Sequence, residues 1–128
     1  MKIVITFIVI IGISISNSLA KTPGWFEGTW VGTGYQVDGQ SWTVEFVKEG
    51  KTLSISYPSL GCQGNWIVLK ATKNRIDIRE NITEGTDKCD QGCEIAIFRL
   101  DKDQISVVYS LPSFQQHAIA TSVLVKRH

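Results

Sequence analysis

Short runs of alternating apolar and polar residues, each ended by a turn signal, constrain this chain more than any other feature. In residues 75–83 the alternation is strict, with Ile76, Ile78 and Ile82 on one face. A period of two suits a strand with one buried face, and no segment after residue 20 carries a sustained helical stripe. The same reading places runs at 30–37, 41–48, 52–57, 66–71, 75–83, 94–100, 104–110 and 116–126. Asp38-Gly39, Glu49-Gly50, Thr72-Lys73-Asn74, Asp101-Lys102-Asp103 and Leu111-Pro112-Ser113 supply turns between them, as do residues 58–64 and the polar stretch 84–92. Eight successive strands with short connections describe an all-β antiparallel meander. Closing it into a small eight-stranded barrel removes the exposed edges that an open sheet presents. An open β-sandwich is the alternative. Glycines at 28, 32 and 34 suit a first strand that coils sharply, and residues 25–28 read as a short turn or 3-10 piece before it.

The first twenty residues read as a signal peptide. Met1-Lys2 is a minimal positive start, residues 3–15 are apolar apart from Thr6, Gly12 and Ser14, and Ser18-Leu19-Ala20 offers small residues for cleavage after Ala20. The apolar run falls short of the roughly 20 residues that span a bilayer, and no later run is long enough. Residues 21–128 are expected to form one domain, secreted or periplasmic, with no stable membrane span after cleavage. The whole sequence carries a formal charge of +1, and removing Lys2 brings it to zero. A basic field for nucleic acid or an anionic membrane is therefore absent.

Three cysteines, Cys62, Cys89 and Cys93, lie in the exported part. In an oxidising compartment the simplest arithmetic is one disulfide and one free thiol. Cys62 with either Cys89 or Cys93 closes a loop that stabilises by about 3–4 kcal/mol, whereas Cys89 with Cys93 stabilises less. A zinc site built from the three is disfavoured against the disulfide in such a compartment, and His117 and His128 add no convincing ligand set. No metal and no cofactor are expected.

Glu80 is the polar side chain of most interest. The alternation points it to the same face as Ile76, Ile78 and Ile82. An unpaired carboxylate there costs several kcal/mol, so it must be neutral, paired or near a watery mouth. It is read either as a ligand-orienting acid inside the barrel or as a structural partner for an Arg, a Tyr hydroxyl or turn amides. The aromatic residues Trp25, Trp30, Trp42, Trp66, Tyr35, Tyr57, Tyr109, Phe26, Phe46, Phe98 and Phe114 either line a pocket or fill the core. Trp25 and Phe26, ahead of the first strand, and Phe114, in a Pro-containing loop, are candidates for an exposed contact surface. Catalysis is not expected. There is no strained Gly-x-Ser-x-Gly elbow, and Glu80 has no evident inward acid partner. Asn81-Ile82-Thr83 is a glycosylation sequon.

Two resemblances add to this reading. Gly28-Thr29-Trp30 resembles the Gly-x-Trp that opens the first strand of calycin barrels such as lipocalins. Arg127 is placed like the basic residue that packs over that Trp. The resemblance implies a structural cap made of Trp30 and Arg127. Tyr57-Pro58-Ser59-Leu60-Gly61-Cys62-Gln63-Gly64 resembles the Tyr-Pro-x-Leu-x-Cys-x-Gly motif of an uncharacterised bacterial domain. That domain is found as stand-alone exported proteins and as the extracytoplasmic part of some membrane serine/threonine kinases. The stretch from Glu80 to Gly85 is similar to its Glu-x-Ile-x-x-Gly, and a cysteine, here Cys89, follows. Cys93 stands where that family has a glycine. The resemblance implies a Cys62–Cys89 disulfide with Cys93 unpaired, and brings no ligand with it.

The expectation is an exported, disulfide-stabilised, non-catalytic binding module. Its partner would be a small molecule or an extracytoplasmic protein, met at the barrel mouth or on the loops 58–64 and 84–92. The alternative is an inhibitor of an exported hydrolase, such as a lysozyme or protease.

Overall fold

The computed structural model describes residues 21–128. The expected signal peptide lies outside the described residues. A 3-10 turn, Gly24–Phe26, precedes eight strands: β1 Gly28–Gln36, β2 Ser41–Glu49, β3 Thr52–Tyr57, β4 Cys62–Ala71, β5 Arg75–Glu84, β6 Glu94–Asp101, β7 Gln104–Ser110 and β8 Ala118–Arg127. Each strand pairs antiparallel with the next, and β8 returns to β1 to close the barrel. The meander barrel is thus the fold, and the sandwich is not.

The alternation sorts side chains as the sequence indicated. Ile76, Ile78, Ile97, Ile105, Val107 and Leu124 point inward and are essentially fully buried. Burying each contributes about 1.5–3 kcal/mol. β4 departs most from expectation. Its turn is shorter than the glycines suggested: Leu60 and Gly61 amides both donate to the Tyr57 carbonyl, and Gly61 takes φ +80°. The strand therefore starts at Cys62. Gly64 lies inside the ladder, where a Cβ would collide with the Asn81 carbonyl of β5. The run that looked uniformly apolar also alternates, with Trp66 buried and Ile67 and Leu69 about half exposed.

The two ends of the barrel differ. One end carries the tight turns at 50–51, 72–74 and 102–103, together with the 3-10 turn. There Phe26, Trp30 and Phe46 are fully buried. The Phe46 ring lies 5.0 Å from Phe26 and 4.5 Å from Trp66, and the Trp30 indole donates to the Phe26 carbonyl at 3.1 Å. This aromatic plug closes the end. Glu27 holds it to the β2–β3 turn, accepting from the Gly50 amide at 2.7 Å and from Lys48 at 3.1 Å.

Three sequence expectations change here. Phe26 is not part of an exposed pair, because it is fully buried within the plug. Trp25 packs edge-on to it at 5.7 Å, donates to the Lys73 carbonyl at 2.8 Å and lies beneath Arg99, so it serves as lid rather than contact surface. The cation over Trp30 is Lys126, at 5.0 Å, and not Arg127. Lys126 faces Trp30 directly across the β1–β8 ladder, whereas Arg127 is one residue further on. It therefore points outward, where it meets Glu45 at 3.3 Å. A one-residue offset in a strand changes face.

The other end carries the longer connections 37–40, 58–61, 85–93 and 111–117. It forms an open mouth. No helix among the described residues is long and apolar enough to cross a membrane.

Candidate functional site

The mouth opens into a cavity of about 400 Å³. Trp42, Tyr57, Glu80 and Tyr109 line its inner part, and the 85–93 loop supplies one wall.

Each of these side chains is placed by strand parity. Trp42 sits opposite Gly34 in the β1–β2 ladder, and its ring covers that glycine so closely that a Cβ would overlap it. The Trp42 indole donates to Gln36 Oε1 at 2.8 Å. It meets both Tyr57 and Tyr109 edge-on, each at 5.3 Å. Glu80 sits opposite Trp66 in the β4–β5 ladder and is only 4% exposed. Its Oε2 accepts from the Trp66 indole at 2.9 Å and from the Tyr57 hydroxyl. The two tyrosine hydroxyls lie 3.3 Å apart. With the Tyr57 proton committed to Glu80, Tyr109 is the donor between them. Ser122 Oγ, buried on β8, has no hydrogen-bond partner.

Burial dominates the electrostatics of this floor. It raises the Glu80 carboxyl above its ordinary range, with Asp90 adding to the rise and the Trp66 and Tyr57 hydrogen bonds opposing it. Burial also raises the Tyr57 phenol well above its usual range, with help from the neighbouring Tyr109 and Glu80. Tyr109 rises for the same first reason. Burial pushes the Cys93 thiol up to about 12. Cys93 therefore remains a protonated thiol at neutral pH and is a poor nucleophile.

The loop wall is held in three ways. Cys62, at the start of β4, is disulfide-bonded to Cys89, with Cα atoms 6.4 Å apart, and Cys93 is free and buried. This is the pairing that the bacterial resemblance implied. The Gln91 side chain then pairs with β5 beyond the end of β6. Its Oε1 accepts from the Ile82 amide at 2.7 Å, and its Nε2 donates to the Ile82 carbonyl at 2.9 Å. Finally, Gly85 at φ +71° lets the chain pass close to Cys62, where a Cβ would clash. The neighbouring 58–61 turn is tied to β2 by reciprocal bonds between Thr43 and Ser59, at 2.9 and 3.0 Å.

The structure thus gathers Glu80, Cys89 and Cys93 around one cavity. Phe114 stands on the same rim, 72% exposed, in the 111–117 loop. Trp25, Phe26 and Trp30 belong to the opposite end, and Arg127 to the outer surface. Tyr57, Tyr109 and Trp42 stood out in the sequence only as members of the aromatic set. Their inward parity was legible, but their meeting around Glu80 was not. Gln91 gave no signal. A second hollow, about 700 Å³, lies at the closed end beside Lys48, Trp66 and residues 21–24. Its buried cation already has partners, since Lys48 donates to Glu27 and to the Gly50 carbonyl. Among the described residues no cluster of His, Cys, Asp and Glu side chains is arranged to hold a metal ion.

No family model and no curated protein matches this chain. Its fold is similar to that of three solved structures, two of them redesigned β-barrels. One, b11L5F_LGL, is 15% identical with a TM-score of 0.62, covering 86% of this chain and 98% of that one. EF1p2_mFAP2b bound to DFHBI is 16% identical with a TM-score of 0.59, covering 80% and 94%. The redesigned barrel mFAP1 bound to DFHBI is 15% identical with a TM-score of 0.59, covering 80% and 95%. At these identities the likeness establishes a shared eight-stranded barrel.

Proposed function

We propose that this protein is an exported, non-catalytic binding barrel that takes a small molecule through the mouth into the cavity above Glu80. The observation that carries the reading is the contrast within one cylinder: one end is plugged by aromatic rings, while the other keeps about 400 Å³ open over a buried carboxylate. That volume lies within the range of ligand cavities, and a few convergent polar groups among aromatic walls are what such sites need. The Cys62–Cys89 bridge and Gln91 hold the rim before any ligand arrives, which lowers the ordering cost of binding. The leader-like residues 1–20 and the disulfide support export. The redesigned barrel mFAP1, bound to DFHBI, is a precedent for a cylinder of this kind holding a small molecule. Kinship with the bacterial exported domain that shares the Tyr57–Gly64 motif is part of the same proposal.

Native mass spectrometry of the protein purified from its export compartment tests the reading. The expected result is a stoichiometric small molecule, released on unfolding and lost in Trp42→Ala. A cavity that stays empty, with no stabilisation by any member of a broad compound library, sinks it.

One observation favours a second reading, a protein partner such as a hydrolase held at the rim. Phe114 and Val37, each 72% exposed, and Tyr35, 61% exposed, lie on the mouth side of the β1, β7 and β8 strands. Capture of a hydrolase in equimolar amount, abolished by Phe114→Ala and indifferent to Trp42→Ala, would select this reading over the cavity.

A further inference from the structure

We propose that the mouth cavity selects an organic cation, an amine or ammonium carried on a small apolar body, with Glu80 as its counter-ion. The inference rests on the reading of the cavity as the binding site.

Three observations converge on a cation. First, Glu80 is half satisfied. Both hydrogen bonds it accepts land on Oε2, and Oε1 accepts none from the described residues. Oε1 is not sealed off either, because Ser122 Oγ is the one fully enclosed polar atom without a partner among the described residues. The unpaired oxygen of a 96%-buried carboxylate (4% exposed) therefore meets the cavity that Glu80 lines. Second, the lining is acidic. Glu80, Asp87 and Asp90 face it against one ammonium, Lys88, whose Nζ lies beside Gly61 at the rim. Third, the remaining inner walls are aromatic, namely Trp42, Tyr57 and Tyr109. Aromatic faces attract cations, and more strongly where water is excluded.

Other ligand classes fit less well. An anion would enter against three carboxylates. A neutral body without a donor would leave Oε1 desolvated and unpaired, and a neutral hydroxyl would give it only an uncharged hydrogen bond. An ammonium satisfies that oxygen with a charge-assisted hydrogen bond and sets its apolar body against the rings.

Protons follow from the same geometry. Glu80 faces the Tyr57 and Tyr109 hydroxyls, the Cys93 thiol, the Asp90 carboxylate and, at the rim, the Lys88 ammonium. Burial favours its protonated form, while a bound cation favours the carboxylate. In the pH range below the raised value where Glu80 is protonated in the free protein, cation binding therefore expels that proton.

Calorimetric titration of the disulfide-intact chain with matched sets of probes tests this. Each set shares one body, phenylethyl or indolylethyl, and differs only in ending as an amine, an alcohol or a carboxylate. The amine should bind about 10- to 100-fold more tightly than the alcohol, with the carboxylate weakest. Binding at a pH below the raised value of Glu80 should release a proton, read from the dependence of the heat on buffer. Glu80→Gln keeps an acceptor for Tyr57 and Trp66 and should bring amine and alcohol to equal affinity without proton release. Alcohol or carboxylate binding as tightly as amine overturns the cation inference and leaves the cavity reading standing. So does an amine preference that survives in Glu80→Gln. Silence from every probe, amines included, overturns both.

Discussion

The closed end and the mouth of this barrel obey the same inward–outward alternation, yet aromatic rings plug the axis at one and leave it open at the other. At the closed end the Phe46 ring meets those of Phe26 and Trp66, and the buried Trp30 indole donates to the Phe26 carbonyl. At the mouth Trp42, Tyr57 and Tyr109 stand around a space. The contribution from outside the strands makes the difference. The 3-10 turn feeds Phe26 into the cylinder from below, whereas the 85–93 loop at the mouth is pinned back to β4 by the disulfide and to β5 by Gln91. Each end also holds a glutamate, and the two shift in opposite directions. Glu27, half exposed, is held below its ordinary range by the Gly50 amide and by Lys48. Glu80 is raised by burial. The comparison teaches that the direction in which these two carboxyls shift follows burial in one case and hydrogen-bond partners in the other.

Cutting each end should break the contrast most strongly. Trp30→Ala removes the centre of the plug and should cost about 3–5 kcal/mol in denaturant unfolding, with loss of exchange protection throughout the sheet. The double change Cys62→Ala and Cys89→Ala should cost about 3–4 kcal/mol by the chain-entropy estimate, with protection lost first in residues 85–93. A mouth that stays fully protected without the disulfide would mean that Gln91 and the close passage at Gly85 hold the loop.

The glutamates offer a sharper and smaller test. Glu80 keeps its proton more firmly when folded, so its contribution is fully present below pH 4.5 and is lost as pH rises through the raised value. Glu27 behaves oppositely: its contribution is present above pH 4.5 and is lost as pH falls through the lowered value. Unfolding free energies measured from about pH 3 to pH 8 should therefore lose their falling limb in Glu80→Gln and their acid-side loss in Glu27→Gln. Profiles that overlay the parent protein in both variants would erase the distinction between the ends.

The smallest effect concerns the cap over Trp30. Lys126→Ala should cost about 0.5–1 kcal/mol, the usual scale of a cation over an aromatic ring at an exposed site. Arg127→Ala, which frees only an exposed pair with Glu45, should stay within about 0.5 kcal/mol. Equal losses would return the cap to Arg127.

Much of the fold was legible because a strand's period of two is a local property. Ile76, Ile78 and Glu80 could be placed on one inner face from nine consecutive residues. The 3-10 turn before β1 was visible too. The start of β4 was misplaced because glycines at 61 and 64 look alike in sequence. Gly61 takes a positive φ in the turn, whereas Gly64 makes room for β5. The disulfide partner was reached through family resemblance, since spacing alone left Cys89 and Cys93 both open.

Sequence determined which side chains face the axis, and hence that a carboxylate lies inside an apolar cylinder. Tertiary structure decided at what height each one sits. Glu80 finds Trp66 across 14 residues and Tyr57 across 23, and Tyr57 finds Tyr109 across 52. Height along the axis depends on the stagger between strands and on how the ends are covered. A single strand's alternation contains neither, so the plug and the cavity emerge only once all eight strands are paired in register.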